Sequence, residues 1–175
     1  MERESLKQHV RELVAEHSKD TIDIARDVLE HPETGFREVR TAQLVGQFFN
    51  HLGLQHRDGL AMTGVRADVA GVAPGPRVAV MGELDSLIVP GHPFVDPNTQ
   101  FAHACGHHTQ IGSMLAAAAA LSDPDVRNEL HGDLSFMAIP AEEYIELEYR
   151  QALVQEGKLE FMGGKAELVQ LGEYD

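Results

Sequence analysis

Tryptophan is missing from this 175-residue chain, and cysteine occurs once, at Cys105. A single thiol cannot close an internal disulfide, so the disulfide-stapled scaffolds are excluded and a reducing, cytoplasmic setting is expected. Basic residues are few, 14 Lys and Arg against 28 Asp and Glu, for a formal charge of -14. They are also scattered. Nucleic acid is therefore not an expected partner, because phosphate binding needs clustered Lys and Arg. No apolar run approaches the roughly 18 to 20 residues of a membrane span, and Met1 to Lys7 lacks the apolar core and cleavage site of a secretory signal. Neither membrane nor export is expected. Phosphate-loop, dinucleotide and Gly-x-Ser-x-Gly motifs are absent as well, leaving kinase, dehydrogenase and serine-hydrolase chemistry without support.

The chain has the apolar content of a globular protein, 43%, and the length of one domain. From Leu6 to Leu29 apolar residues recur at helical spacing, which predicts one long amphipathic helix or two short ones, stopped by His31-Pro32. After the turn Glu33-Thr34-Gly35-Phe36, a second helix carries Ala42, Val45, Phe49 and Leu52 on one face and ends at Gly53. Both helices are expected to pack on a sheet. Val65, Ala67 and Val69 alternate with Arg66 and Asp68 as in a half-exposed strand, and Arg77 to Met81 reads as a buried one. That second strand delivers Glu83-Leu84-Asp85 at its C-terminal end, where open α/β sheets usually bind ligands.

Residues 88 to 102 read as a surface loop. A helix resumes through Ile111, Met114, Leu115, Ala118 and Leu121, and Pro124 limits it. Leu134 to Ile139 is a third strand, halted by Pro140 and presenting Ala141-Glu142-Glu143. Tyr144 to Gln155 has helical potential, and the chain from Gly157 onward reads as irregular. The order predicts an α/β fold with a layered sheet and no internal repeat.

The most specific local feature is His103-Ala104-Cys105-Gly106-His107-His108. A thiolate and imidazoles one residue apart on a turn can converge on one cation, and Gly106 lets the chain turn tightly. The plainer alternative is a buried free cysteine beside helix-capping histidines. Glu142-Glu143 adds carboxylates, one to bind a cation and one to take a proton from its water. Adjacent glutamates are commonly just solvated, but these follow a buried strand and a proline. Glu83 and Asp85 have the same placement, with strand-end solvation or helix capping as their plain reading. His9, His17, His51, His56, His92 and His131 lack ligand-like neighbours and read as surface or capping residues.

Taken in order, HPETGFRE at 31 to 38, GELDSL at 82 to 87, HACGHH at 103 to 108 and IPAEE at 139 to 143 resemble the dinuclear metallo-amidohydrolases. That group includes the aminoacylases, the hippurate hydrolases and the indole-acetyl-amino-acid hydrolases. The resemblance implies a layered α/β/α zinc-peptidase catalytic domain, phosphorylase/hydrolase-like, with a central mixed sheet. It matches Cys105, His107 and Glu143 to metal ligands, Glu142 to the general base, and Asp85 to an acidic residue near the metals. It implies two divalent cations per full-length site, of manganese or zinc type, and an N-acyl amino acid or small peptide as substrate.

Two departures stand out. Many members have Asp-Gly-His after CGH, whereas here His108-Thr109-Gln110 follows. The family also places two further histidine ligands downstream of the glutamate pair, and no histidine follows His131 here. Residues 1 to 175 are accordingly expected to be the N-terminal part of the catalytic domain, without the dimerisation and lid domain or the C-terminal half. Such a piece is expected to be weakly active or inactive, and to self-associate or to join its missing half. The alternatives are a non-catalytic metal-binding or interaction module derived from the same fold and, more distantly, a thiol hydrolase using Cys105 and His107.

Overall fold

A computed structural model describes Met1 to Asp175. Helix α1, Arg3–Glu30, is one continuous helix, and α2 spans Val39–His51. Strands β1, His56–Leu60, β2, Gly64–Ala70, and β3, Ala73–Glu83, follow. Two short strands, β4, Leu87–Ile88, and β5, Phe101–Ala102, pair with each other and close the proline-bearing loop between them. The chain continues through α3, His107–Leu121, α4, Pro124–Arg127, β6, His131–Ile139, α5, Leu147–Gln155, and α6, Gly164–Gln170.

The main sheet has the order β1-β2-β6-β3. The first two pairings are antiparallel and β6 with β3 is parallel, so the sheet is mixed as expected. Alternation along β6 explains the layers, because successive side chains leave a strand on opposite faces. Phe136 and Ala138 join Val65, Ala67 and Val69 in a core roofed by Phe49 of α2 and by Ile111 and Leu115 of α3. Met137 and Ile139 face the other way, against Leu153 of α5 and Leu168 of α6.

Four expectations need correction. Helix α1 lies chiefly on α3 rather than on the sheet, and Gly112 permits it: a Cβ there would stand 3.0 Å from Ala25 Cβ and 3.1 Å from the Thr21 carbonyl oxygen. Strand β3 is an edge, not a buried strand, and Val78 is 51% exposed. An apolar run is the same string of residues in either place. Arg66 of β2 is buried although it sits on the polar side of the alternation, because it bonds to Ser135, Asp68 and the Glu173 carboxylate.

The last correction lies after Gly157, where the chain is ordered. Leu159, Glu167 and Leu168 are buried and α6 is helical. The glycine pair that suggested irregularity serves close packing instead. A Cβ on Gly164 would lie 1.8 Å from the Pro140 carbonyl oxygen, and one on Gly163 would lie 2.5 Å from Tyr144 Oη. No helix is long and apolar enough to cross a membrane.

Candidate metal centre

The segment HPETGFRE builds the floor of the site as well as the turn between helices. The Glu33 carboxylate accepts the backbone N–H groups of Arg40 and Thr41 at 3.0 and 2.8 Å, satisfying donors that the first turn of α2 would otherwise leave free. Its carbonyl oxygen accepts Ser86 N–H and Oγ–H, both at 2.8 Å, which anchors the loop that follows β3. At the other end of the segment, Glu38 is wholly buried and bonds to Thr63 Oγ1 and to the Ala141 N–H, 2.7 and 2.8 Å away. A helix-capping motif thus reaches the residue just before the glutamate pair.

Gly106, with φ 88, turns the chain so that α3 begins at His107. The His107 ring is buried, and Nδ1 lies 2.8 Å from the backbone carbonyl oxygen of Asp85. A carbonyl only accepts, so Nδ1 carries the proton and the other nitrogen, Nε2, faces the acidic groups. It is 2.9 Å from Glu83 Oε2, 3.7 Å from Glu143 Oε1 and 3.9 Å from Glu142 Oε2. Glu83, His107 and Glu142 each place one ligand atom within 4.8 Å of the others. Lys165, from the start of α6, donates to Glu83 and stands 3.7 Å from Glu142 Oε1.

The electrostatics of this cluster suit a cation. Burial opposes a charged His107, yet its bonds to Asp85 and the negative charges of Asp85 and Glu83 raise its pKa to about 9. Cys105 is exposed beside the cluster. Its hydrogen bond to Glu143, then partial burial and the charges of Glu143, Glu142 and Asp85, push the thiol up to about 11. An imidazole and a thiol that hold protons against a negative field, beside several carboxylates, are donors that a divalent cation would deprotonate and bind. The donor set therefore fits a divalent metal.

The remaining site candidates separate. Asp85 is fully buried, and its two oxygens accept the N–H groups of Glu142 and Glu143 at 3.1 and 2.9 Å. His103 is 3% exposed, with no hydrogen-bond partner on either ring nitrogen, and its ring lies 5.8 Å from that of His108. Burial, reinforced by the charges of His108 and His107, lowers its pKa to about 4 and keeps it neutral. Of the three histidines in the hexapeptide only His107 joins the acidic cluster.

No family model matches the chain. Individual proteins do. It is 31% identical over 175 residues to an N-acyl-L-amino acid amidohydrolase of Geobacillus stearothermophilus, covering 97% of this chain and 42% of the relative. It is 31% identical over 146 residues to thermostable carboxypeptidase 1 of Saccharolobus solfataricus, covering 80% and 35%. Among solved structures, a dinuclear metal-binding peptidase of the M20 family from Bacillus subtilis superposes with a TM-score of 0.65 and 28% identity, over 82% of this chain and 40% of that one.

The chain belongs to the M20 metallo-amidohydrolases. It spans less than half the length of these relatives. Membership accounts for the mixed α/β architecture. Within the family frame, three groups at the site carry no assignment from sequence, Lys165, Glu38 and Arg150, whereas Glu83 is marked there by its placement at a strand end. Lys165 follows a glycine pair and Glu38 ends the HPETGFRE segment, which are the only local signals either one offers. Arg150 sits on α5, whose periodicity marked a helix and nothing more.

Proposed function

We propose that this chain carries the water-activating part of a metal-dependent hydrolase that cleaves amide bonds in N-acyl amino acids or small peptides. The observation that supports it most is the convergence of Glu83 from β3, His107 from α3 and Glu142 from the turn after β6 within 4.8 Å. His107, Cys105 and Glu143 would hold a divalent cation of zinc or manganese type, one of two in the whole enzyme, with Glu83 beside His107 Nε2. The cation, when bound, supplies a polarised scissile carbonyl and a water of lowered pKa.

The rest falls to the chain itself. Glu142, the more exposed of the pair, takes a proton on its carboxylate and returns it to the leaving amine. Lys165 holds Glu83 and faces Glu142, which keeps both carboxylates on the metal side of the turn. Asp85 positions rather than transfers protons, because both of its oxygens are taken by the amides of residues 142 and 143. Residues 1 to 175 would form the N-terminal part of the catalytic domain, acting in the cytoplasm. The exposed Val78 and Met81 on edge strand β3 favour association with further polypeptide or a second copy.

Cobalt titration tests the metal reading, since a cobalt–thiolate bond absorbs in the near ultraviolet. Saturable absorbance that Cys105→Ala abolishes, and that His107→Ala weakens, supports it. Failure of cobalt, zinc and manganese alike to bind refutes it. A second reading, a metal-binding module without turnover, draws on the chain's spanning under half of its relatives' length. Hydrolysis of a panel of N-acyl amino acids, lost in Glu142→Gln, would decide for catalysis, and we expect these 175 residues alone to show little of it.

A further inference from the structure

The turn that bears the glutamate pair is strained. Ala141 has φ 50 and Glu146 has φ 49, a left-handed conformation that costs a side-chain-bearing residue energy and needs outside support. Much of that support comes from one side chain, Arg150, which is 0% exposed. Its Nη1 donates to the carbonyl oxygens of Ala141 at 3.2 Å and Met162 at 2.8 Å, and its Nη2 donates to the carbonyl oxygen of Glu143. Nη2 also lies 4.0 Å from Asp85 Oδ2. The rings of Phe36 and Tyr144 flank the guanidinium, its carbon 5.4 and 5.6 Å from their centroids.

A wholly buried arginine is uncommon, because losing water around its charge is costly unless its donors find acceptors; in Arg150 both Nη1 and Nη2 find them, while Nε has no hydrogen-bond partner. Here the partners sit on both sides of the working residues. Arg150 grips the carbonyl oxygens of Ala141 and Glu143, while Asp85 grips the amides of Glu142 and Glu143 and Glu38 grips the amide of Ala141. Three buried ionisable side chains hold all three backbone amides from 141 to 143 and the carbonyl oxygens of Ala141 and Glu143, leaving the two glutamate side chains free for the cluster. Gly35 is a consequence of the same arrangement, since a Cβ there would come within 2.2 Å of Arg150 Nη2.

We infer that Arg150 is a positioning residue for the glutamate pair: its planar fork sets the turn so that Glu143 and Glu142 face His107. The inference rests on the metal-binding reading above. Lysine cannot replace it, because one ammonium group cannot span carbonyl oxygens on three residues.

A double-mutant cycle on the whole chain, read by cobalt affinity, separates positioning from general support of the fold. Arg150→Lys should weaken cobalt binding about 10- to 100-fold in the otherwise unmodified chain. In a Glu143→Gln background it should change binding by less than about threefold, because the residue it aims has already lost its charge. Equal losses in both backgrounds overturn the inference, as does unchanged affinity in a folded Arg150→Lys chain. Arg150→Gln is the second variant, and loss of the fold in both would assign the arginine a structural role instead. Absence of cobalt binding by the unmodified chain would refute the metal reading itself, a result distinct from all of these.

Discussion

Asp85 holds Glu143 by its backbone, accepting the N–H of Glu143 at 2.9 Å through Oδ2 while Oδ1 takes that of Glu142 at 3.1 Å. The carboxylate is buried opposite the guanidinium of Arg150. Asp85→Ala leaves two amides without their acceptor and a buried guanidinium without the negative charge 4.0 Å from it, and removing one side of such an arrangement typically costs about 3 to 5 kcal/mol. Asp85→Asn keeps one acceptor oxygen and should cost about 1 to 3 kcal/mol. Urea unfolding of both variants checks the order, and equal stability of Asp85→Ala and the unmodified chain would contradict it.

Gly35 faces Arg150 and Ala141 so closely that any side chain collides. An added Cβ would lie 2.2 Å from Arg150 Nη2 and 2.9 Å from Ala141 Cα. Overpacking of this kind costs about 1 to 3 kcal/mol where neighbours can shift, and here one neighbour is backbone. Gly35→Ala should lower the melting temperature and weaken cobalt binding together. Thermal melting beside a cobalt titration checks this, and a fall in stability with unchanged cobalt affinity would uncouple the glycine from the metal centre.

Much of the candidate site is legible in the sequence because it is written locally. Cys105 and His107 lie two positions apart, Glu142 and Glu143 are adjacent, and strand ends deliver the acidic groups. What escaped is set by distance along the chain. Lys165 meets Glu83 across 82 positions and Glu38 meets Ala141 across 103, and no periodicity marks such pairs. Edge strand β3 reads as buried because hydrophobic content cannot tell an edge from a centre. Helix α6 leaves no readable signal because seven residues behind a Gly-Gly pair give too short a pattern, and the glycines answer to Pro140 and Tyr144 rather than to a loop.

Glu38 makes stability depend on pH in an unusual direction. Burial, aided by the charge of Asp85 and opposed by the bonds from Thr63 and Ala141, raises its pKa from 4.5 to about 7. A folded-state pKa above the unfolded one favours the folded state fully below about pH 4.5, and that contribution is lost as pH rises through about 7. The full swing is about 3 kcal/mol by proton linkage. Glu38→Gln keeps the shape and removes the titration. The stability difference, unmodified chain minus variant, should therefore decline between pH 4.5 and 7 and then level off, as read by urea unfolding across that range. A difference that stays flat or rises would be inconsistent with the buried carboxyl described here.

Cys105 offers a chemical readout of the same acidic cluster. Its thiol is exposed, so access does not limit its reactivity, and only the thiolate reacts with alkylating agents. The hydrogen bond to Glu143, partial burial and the neighbouring carboxylates raise its pKa from 9.0 to about 11, which cuts the thiolate fraction at pH 8 about 100-fold. Iodoacetamide should accordingly modify the chelator-treated chain far more slowly than it modifies a free cysteine. Glu143→Gln removes the charge of Glu143 and leaves only a neutral acceptor for the thiol, and should speed the reaction at least several-fold, with no change in the unfolded chain. Saturating zinc should suppress modification in the unmodified chain by occupying the sulfur, and should do so less in Glu143→Gln, where a ligand is lost. An ordinary alkylation rate in the folded, chelated chain would show that Glu143 does not face the thiol, and the placement of both residues around one cation would then have to be abandoned.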